Sequence, residues 1–172
     1  MDLEKKVLSR EIQTIFYESG MTLGTAESCT GGRIAEAIIA TPGASEYFKG
    51  GIISYTNEVK ERLLNVDHQL LEEKTAVCEE VAIAMVKGAC DALNVDYAIA
   101  ATGIAGPGDG TKEIPVGTIW LAFGNKEEVR TIKLEEDEGR DVNLSTATFR
   151  ALQGFLAFIS ERFPRKNEEN LA

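Results

Sequence analysis

The most reactive-looking feature of the chain is a turn rich in hydroxyl, thiol and glycine residues, Glu27-Ser28-Cys29-Thr30-Gly31-Gly32. A short apolar run over residues 22–26 precedes this turn, and a helical pattern over residues 33–40 follows it. A strand-to-helix turn places side-chain hydroxyls beside unpaired backbone N–H groups at the positive end of a helix dipole. Such a turn suits a nucleophile, an oxyanion or a phosphate.

Two further segments, residues 50–60 and 101–110, also join an apolar run to a glycine- and hydroxyl-rich turn. In open α/β sheets, ligands bind beyond the carboxyl ends of the parallel strands. Three such turns in one short chain therefore predict one site that is built from three loops.

Ser28 has two interpretations, because serine at such a turn commonly caps the following helix and becomes a nucleophile only beside a base. The sole histidine, His68, lies in a polar segment between two predicted helices and is expected to face solvent. A Ser-His-Asp triad is therefore disfavoured, and a lysine is the better candidate for the base.

Lys60 is that candidate. If Asn57 caps the helix after the second strand, Lys60 falls in its first turn, where the helix dipole and partial burial both lower a lysine pKa. A lysine pKa starts near ~10.4 and must approach neutrality for efficient proton acceptance. Glu27 and Glu58 oppose this shift, and the alternative is an ordinary solvated lysine.

Three other side chains have a chemical and a structural interpretation. Tyr55 ends the strand that delivers Lys60, so its phenol can relay a proton or simply pack at the sheet edge. Cys29 is a rival nucleophile, but without a histidine it is predicted to be a small buried filler. Arg140 can clamp a phosphate or carboxylate through two hydrogen bonds, or form a surface salt bridge.

The loop after the third predicted parallel strand offers the Thr102 hydroxyl together with Gly103 and Gly106. Glycines let backbone N–H groups approach a ligand closely. The loop lacks the Gly-Lys-Ser/Thr ending of a phosphate-binding P-loop and the spacing of a dinucleotide fingerprint. It therefore predicts contact with a ligand without identifying that ligand.

Composition excludes several classes of protein. The net charge of -10 disfavours nucleic-acid binding, although a small anionic metabolite can still bind to local backbone dipoles. One histidine and three scattered cysteines predict no metal site, no disulfide framework and a reducing compartment. The charged N-terminus and the lack of an apolar run of ~20 residues predict a cytoplasmic protein that does not bind membranes.

The pattern of apolar residues predicts a single-domain α/β protein, a three-layer α/β/α sandwich with a mixed sheet. Strands are expected over 22–26, 51–55, 96–102, 116–123 and 128–134, the last two as an antiparallel pair. Helices are expected over 3–19, 33–40, 57–64, 79–93 and about 148–159. The domain is assigned to residues 1–163 and a polar, disordered tail to residues 164–172. The apolar C-terminal helix, with Phe149, Phe155 and Phe158, predicts a homo-oligomer, a dimer or larger.

Four blocks in this order resemble the CinA C-terminal-domain family, over about residues 12–158. They are Thr25-Ala26-Glu27-Ser28-Cys29-Thr30-Gly31-Gly32, Gly50-Gly51 with Ser54-Tyr55-Thr56-Asn57-Glu58-x-Lys60, Thr102-Gly103-Ile104-Ala105-Gly106-Pro107, and Pro115-Val116-Gly117-Thr118. The enzymatic members of this family are nicotinamide-nucleotide amidohydrolases of the stand-alone PncC type. Because the sequence lacks the large N-terminal domain of two-domain members, the stand-alone form is expected.

The resemblance implies hydrolysis of nicotinamide mononucleotide to nicotinate mononucleotide and ammonia, without a metal or cofactor. By position, Ser28 matches the nucleophile, Lys60 the base and Tyr55 the assisting tyrosine. The backbone N–H groups of residues 28–32 are expected to stabilise the oxyanion. The expected substrate-binding residues are Thr30, Gly31, Gly32, Thr102, Gly103, Gly106 and Arg140.

Two positions depart from the family pattern. Residues 142–145 lack the second arginine that members often carry there, and Cys78 replaces a common serine. The first departure weakens the expectation of anion binding by the last helix. A non-catalytic nucleotide-binding module therefore remains the alternative function. A kinase or phosphatase is disfavoured, because the chain has no P-loop and no metal-ligand spacing.

Overall fold

The computed structural model describes residues 3–164, so all of the predicted tail except Pro164 lies outside the described residues. The helices within this range are α1 (Leu3–Ser19), α2 (Arg33–Ile39), α3 (Asn57–Leu64), α4 (His68–Lys74), α5 (Glu79–Leu93) and α6 (Arg140–Arg162), with a 3-10 turn at Ala44–Glu46. The strands are β1 (Leu23–Glu27), β2 (Phe48–Ile53), β3 (Tyr97–Gly103), β4 (Ile119–Gly124) and β5 (Val129–Leu134).

The five strands form one mixed sheet in the order β2-β1-β3-β4-β5. Strand β1 is central to the parallel part and pairs with β2 on one side and β3 on the other. Strands β3, β4 and β5 then pair antiparallel. The predicted arrangement, with parallel crossovers first and an antiparallel pair last, is confirmed.

Helices cover both faces of the sheet, which confirms the three-layer sandwich. Strand β3 is apolar from Tyr97 to Ala101 because helices cover both of its faces. Its Tyr97, Ile99 and Ala101 enter the cluster that also contains residues of α1, α2 and α6. Its Ala98 and Ala100 enter the cluster on the other face, with residues of α3, α4 and α5. Because successive side chains alternate between faces, a strand covered on both sides needs apolar residues at successive positions, as residues 97–101 of β3 show.

Two helical segments differ from the sequence expectations. Helix α6 starts at Arg140, whereas the sequence pattern predicts a start near Thr148. Residues 140–142 are exposed, and the buried face of the helix begins with Asn143 and Leu144. Helix α4 was not predicted. It is short and polar, and its N-terminus is capped by the Asp67 carboxylate, which accepts a hydrogen bond from the Gln69 N–H at 2.8 Å.

Helix α6 packs Phe155 and Phe158 fully inside this chain's own core. These two side chains therefore give no argument for a partner subunit, and the homo-oligomer stays a prediction. None of the helices within residues 3–164 is both long enough and apolar enough to cross a bilayer.

Helix α3 approaches α5 very closely at Gly88. A Cβ atom at Gly88 would lie 2.0 Å from the Leu64 carbonyl oxygen at the end of α3. Only glycine allows this approach, since any side chain would push α3 outward. The position of α3 matters because this helix carries Lys60.

Candidate active site

The carboxyl ends of β1, β2 and β3 bring the three predicted turns to one edge of the sheet. Hydrogen bonding continues one residue beyond the strands: the Ser28 N–H donates to the Ala101 carbonyl at 2.9 Å, and the Ser54 N–H donates to the Glu27 carbonyl at 2.8 Å. Ser28 and Ser54 are therefore fixed by the sheet itself, a more rigid support than a free loop.

The centre of this edge is a serine–lysine pair. Lys60 Nζ lies 3.0 Å from Ser28 Oγ and donates a second hydrogen bond to the Ser54 carbonyl at 2.8 Å. Ser28 is 7% exposed and Lys60 only 1% exposed. A buried amine in hydrogen-bond contact with a serine hydroxyl has the geometry of a base beside a nucleophile.

Burial lowers the pKa of Lys60 from 10.5 to about 8, and nearby Cys29 opposes this shift only in part. Within the described residues no carboxylate lies close enough to form an ion pair with Nζ. Glu58, which was expected to oppose the shift, instead extends into solvent beside Arg62. Lys60 therefore reaches its amine form near neutral pH because it is desolvated and lacks an anionic partner.

The cap of α3 is Thr56, whereas Asn57 was expected in that role. Thr56 Oγ1 accepts a hydrogen bond from the Val59 N–H at 3.4 Å, and Asn57 is the first helical residue. The Lys60 N–H closes the first turn onto the Thr56 carbonyl at 3.1 Å. Lys60 thus lies in the first turn of α3, where the helix dipole also disfavours its ammonium form.

Glu27 occupies the positive end of α2. Its buried carboxylate accepts four hydrogen bonds: from the Thr30 hydroxyl at 2.7 Å and from the N–H groups of Gly32, Ile34 and Ala35 at 3.1, 3.0 and 2.8 Å. The anion that binds this helix terminus is therefore an internal side chain. A substrate phosphate is excluded from the same position.

Three of the predicted substrate-binding residues, Thr30, Gly31 and Gly32, lie in this capped turn, and their contact with substrate stays a prediction. Thr30 and Gly32 are engaged with Glu27, and the Gly31 N–H donates to the Ser28 carbonyl at 3.1 Å. These three residues shape the turn. Of the N–H groups expected to form an oxyanion hole, those of Cys29 and Thr30 are the ones without an oxygen acceptor in the described part of the chain.

Replacing Glu27 by alanine is expected to lower the free energy of unfolding by about 3 kcal/mol, because four donors, two in buried and two in part-buried hydrogen bonds, lose their acceptor. Urea denaturation measures this change. Glu36→Ala, at an exposed position of the same helix, is the matched control and should stay within about 0.5 kcal/mol of the native chain. Equal stability of the two variants would show that the Glu27 cap is dispensable.

A cleft of about 190 Å³ opens above Ser28. Its walls contain five of the predicted site residues, Ser28, Tyr55, Gly103, Gly106 and Arg140, together with Cys29, Ile104, Ala105, Gly108 and Asp109. Lys60 is not among the residues of the wall, and its amine meets the cleft at Ser28 Oγ.

Thr102 does not reach this cleft. Its side chain is buried, and its hydroxyl donates to the Ala76 carbonyl at 2.8 Å. This bond ties the end of β3 to the segment between α4 and α5. The Thr102 hydroxyl is thus engaged within the chain, and its contact with substrate stays a prediction.

The start of α6 holds the glycine loop in place. Arg140 Nη1 donates to the Gly106 carbonyl at 2.7 Å, which leaves other N–H groups of the guanidinium for a ligand. Asn143 donates to the Ala105 carbonyl at 3.1 Å and to Asp137 at 2.9 Å. Asn143 was missed from the sequence, where a buried amide on an amphipathic helix gives no distinctive signal.

The competing nucleophile and base are poorly placed. Cys29 packs in the core at 6% exposure, and burial raises the pKa of its thiol to about 12, so the thiolate is scarce. His68 lies on the exposed surface of α4, where its Nδ1 contacts a Glu61 carboxylate oxygen at 2.9 Å. Tyr55 stands on the rim of the cleft and is 62% exposed.

A larger cavity of about 290 Å³ lies between β5 and α6. Its lysine, Lys133, is paired with Glu135 and has no serine beside it. Within residues 3–164 no group of three or more His, Cys, Asp or Glu side chains is arranged to hold a metal ion. The serine–lysine cleft is therefore the better candidate for covalent chemistry.

Comparison with known families matches residues 5–159 to the CinA C-terminal domain. A CinA-like protein of Leptospira borgpetersenii is 51% identical over 118 residues, which cover 69% of this chain and 28% of that protein. A CinA-like protein of Citrifermentans bemidjiense is 41% identical over 159 residues, which cover 92% of this chain and 38% of that protein. The chain thus spans less than two fifths of the length of these relatives.

Two crystal structures share the fold over nearly their whole length. The competence/damage inducible protein CihA from Agrobacterium tumefaciens superposes with a TM-score of 0.88 at 35% identity, covering 92% of this chain and 99% of the other. A competence-damaged protein (CinA) superfamily protein from Escherichia coli superposes with a TM-score of 0.87 at 31% identity, covering 92% of each chain.

Proposed function

This chain belongs to the CinA C-terminal domain family, and we propose that it hydrolyses the carboxamide of nicotinamide mononucleotide to nicotinate mononucleotide and ammonia. The observation that carries the proposal is the 3.0 Å contact between Ser28 Oγ and the buried amine of Lys60 at the base of a cleft. An amide is a fitting target, because its carbonyl carbon accepts a serine oxygen and its nitrogen leaves as ammonia.

In the first step, Ser28 Oγ attacks the carboxamide carbon while its proton passes to Lys60 Nζ. The carbonyl oxygen becomes an oxyanion, for which the N–H group of Cys29, a residue of the cleft wall, is the available donor of the turn. One such donor contributes roughly 3–4 kcal/mol in other acyl-transfer sites. The tetrahedral intermediate then collapses, and the lysine returns the proton to the leaving nitrogen.

Loss of ammonia leaves an ester between Ser28 and the nicotinoyl group. Water then attacks this ester, Lys60 accepts its proton, and Ser28 regains a proton as the acid departs. Tyr55, on the rim above Ser28, is assigned the assisting role, in which its phenol holds the serine or substrate oxygen.

The nucleotide phosphate is assigned to the opposite wall. Arg140 and the backbone of Gly106 and Gly108 line that wall, and the guanidinium keeps N–H groups free after its bond to Gly106. Planar, forked donors suit a phosphate group. This placement separates the phosphate from Glu27, which already fills the end of α2.

The pH dependence follows from Lys60. Only the amine form can accept the serine proton, so kcat/KM is expected to rise with pH below about 8 and to level above it. Initial rates between pH 6 and 10 measure this profile. These limits lie roughly two pH units on either side of the pKa of Lys60. A flat profile across that range would remove Lys60 from the role of base.

The direct test is the formation of ammonia and nicotinate mononucleotide by the native chain. Nicotinamide mononucleotide should be hydrolysed, and free nicotinamide, which lacks the phosphate for Arg140, should be a poor substrate. Tight binding of the nucleotide without ammonia release would favour the alternative, a non-catalytic nucleotide-binding module.

A further inference from the structure

Ser54 carries a fully buried hydroxyl, 0% exposed, that has no hydrogen-bond partner within the described residues. Its backbone is engaged on both sides: the N–H donates to the Glu27 carbonyl, and the carbonyl accepts from Lys60 Nζ. A buried polar group without a partner costs stability, so its presence in this location requires an explanation.

The Ser54 hydroxyl lies on the side of the sheet from which Lys60 approaches. Ile52 packs into the apolar cluster formed with α3, α4 and α5. The hydrogen bond from Ser54 to Glu27 extends the β1–β2 pairing, so the alternation of side chains continues beyond β2. Ser54, two residues after Ile52, therefore points toward the layer that contains α3.

Lys60 lacks one acceptor when it is protonated. An ammonium group has three N–H donors, whereas Lys60 Nζ has two partners, Ser28 Oγ and the Ser54 carbonyl. The third donor would be left unpaired in a buried site at the moment when Lys60 has taken the serine proton. A buried ammonium with an unpaired donor is costly.

We propose that Ser54 is a positioning residue for Lys60, whose hydroxyl turns about χ1 to accept the third N–H of the ammonium group. This inference rests on the proposed serine–lysine chemistry. The proton still moves from Ser28 Oγ to Lys60 Nζ and leaves with ammonia, and Ser54 neither gains nor loses one. The Ser54 hydroxyl has no hydrogen-bond partner while Lys60 is an amine, and it gains one when Lys60 becomes an ammonium group.

The test compares Ser54→Ala with Thr25→Val. Thr25 Oγ1 is also buried without a partner, but it lies against Gly51 and Ala35, on the side of α2. Loss of an unpartnered hydroxyl should leave the urea midpoint of both variants unchanged or slightly raised. Ser54→Ala alone should lower kcat about 10- to 100-fold at unchanged KM, the range expected for one hydrogen bond to a charged group.

A second measurement does not depend on turnover. The NMR titration of Lys60, labelled with ¹³C at Cε, should show its midpoint lowered by about one pH unit in Ser54→Ala and unmoved in Thr25→Val. An unmoved or raised midpoint in Ser54→Ala overturns the inference, as does an unchanged kcat. If the native chain releases no ammonia but the midpoint still falls, the proposed function fails and the role of Ser54 stands.

Discussion

Ser28→Ala is expected to reduce ammonia release from nicotinamide mononucleotide by at least about 10³-fold, because it removes the atom that forms the covalent bond to the carboxamide carbon. The fold should be unaffected, since Ser28 is held by its backbone N–H bond to Ala101, which alanine preserves. Binding of the nucleotide, measured by calorimetry, should change little. The loss should therefore fall on kcat.

Cys29→Ala is the matched control for this variant. It removes the adjacent rival nucleophile, whose buried thiol has its pKa raised to about 12. Turnover should stay within about threefold of the native chain, because a protonated buried thiol takes no part in the chemistry. If Cys29→Ala abolished turnover and Ser28→Ala did not, the assignment of the nucleophile would have to be reversed.

Lys60→Met is expected to reduce turnover by a similar factor while making the protein more stable. The lowered pKa of Lys60 means that folding places its ammonium form in an unfavourable environment. At pH 7 methionine removes that cost but also leaves the Ser54 carbonyl without its donor, so we expect a net gain of about 1–2 kcal/mol in the free energy of unfolding. Ammonia release and urea denaturation measure the two effects.

The size of this stability effect depends on pH. The pKa of Lys60 is about 8 in the folded chain and near ~10.5 in the unfolded one, so the cost is complete below pH 8. It declines as the pH rises through this window, and the advantage of the methionine variant should disappear above it.

Lys60→Arg, which keeps the charge but cannot lose its proton, should be as inactive as Lys60→Met. An active arginine variant would show that charge alone is needed.

The placement of the serine–lysine pair could be anticipated from sequence because it depends on local order. Ser28 follows β1 directly, and Lys60 lies in the first turn after β2, so parallel pairing of the two strands brings both residues to one edge. The burial of Lys60 could not be deduced in the same way. It results from the approach of α3 to α5 at Gly88, which depends on residues distant in sequence.

The roles of the neighbouring polar residues were harder to predict. Thr30, Gly32 and Thr102 carry groups that suit a ligand, but the structure engages them with Glu27 and the Ala76 carbonyl. A sequence shows which donors are available and does not show which of them an internal acceptor has already taken. From the sequence, Glu27 is interpreted only as a charge near Lys60. Its position at the end of α2 follows from the tight turn of residues 28–32.

The measurement that tests the serine–lysine account most directly is mass spectrometry of the native chain, quenched with acid during turnover of nicotinamide mononucleotide. We predict an adduct with the mass of nicotinate mononucleotide less water, located on Ser28 and absent from Lys60→Met. An adduct on Cys29, or undiminished turnover by Ser28→Ala, would contradict the account.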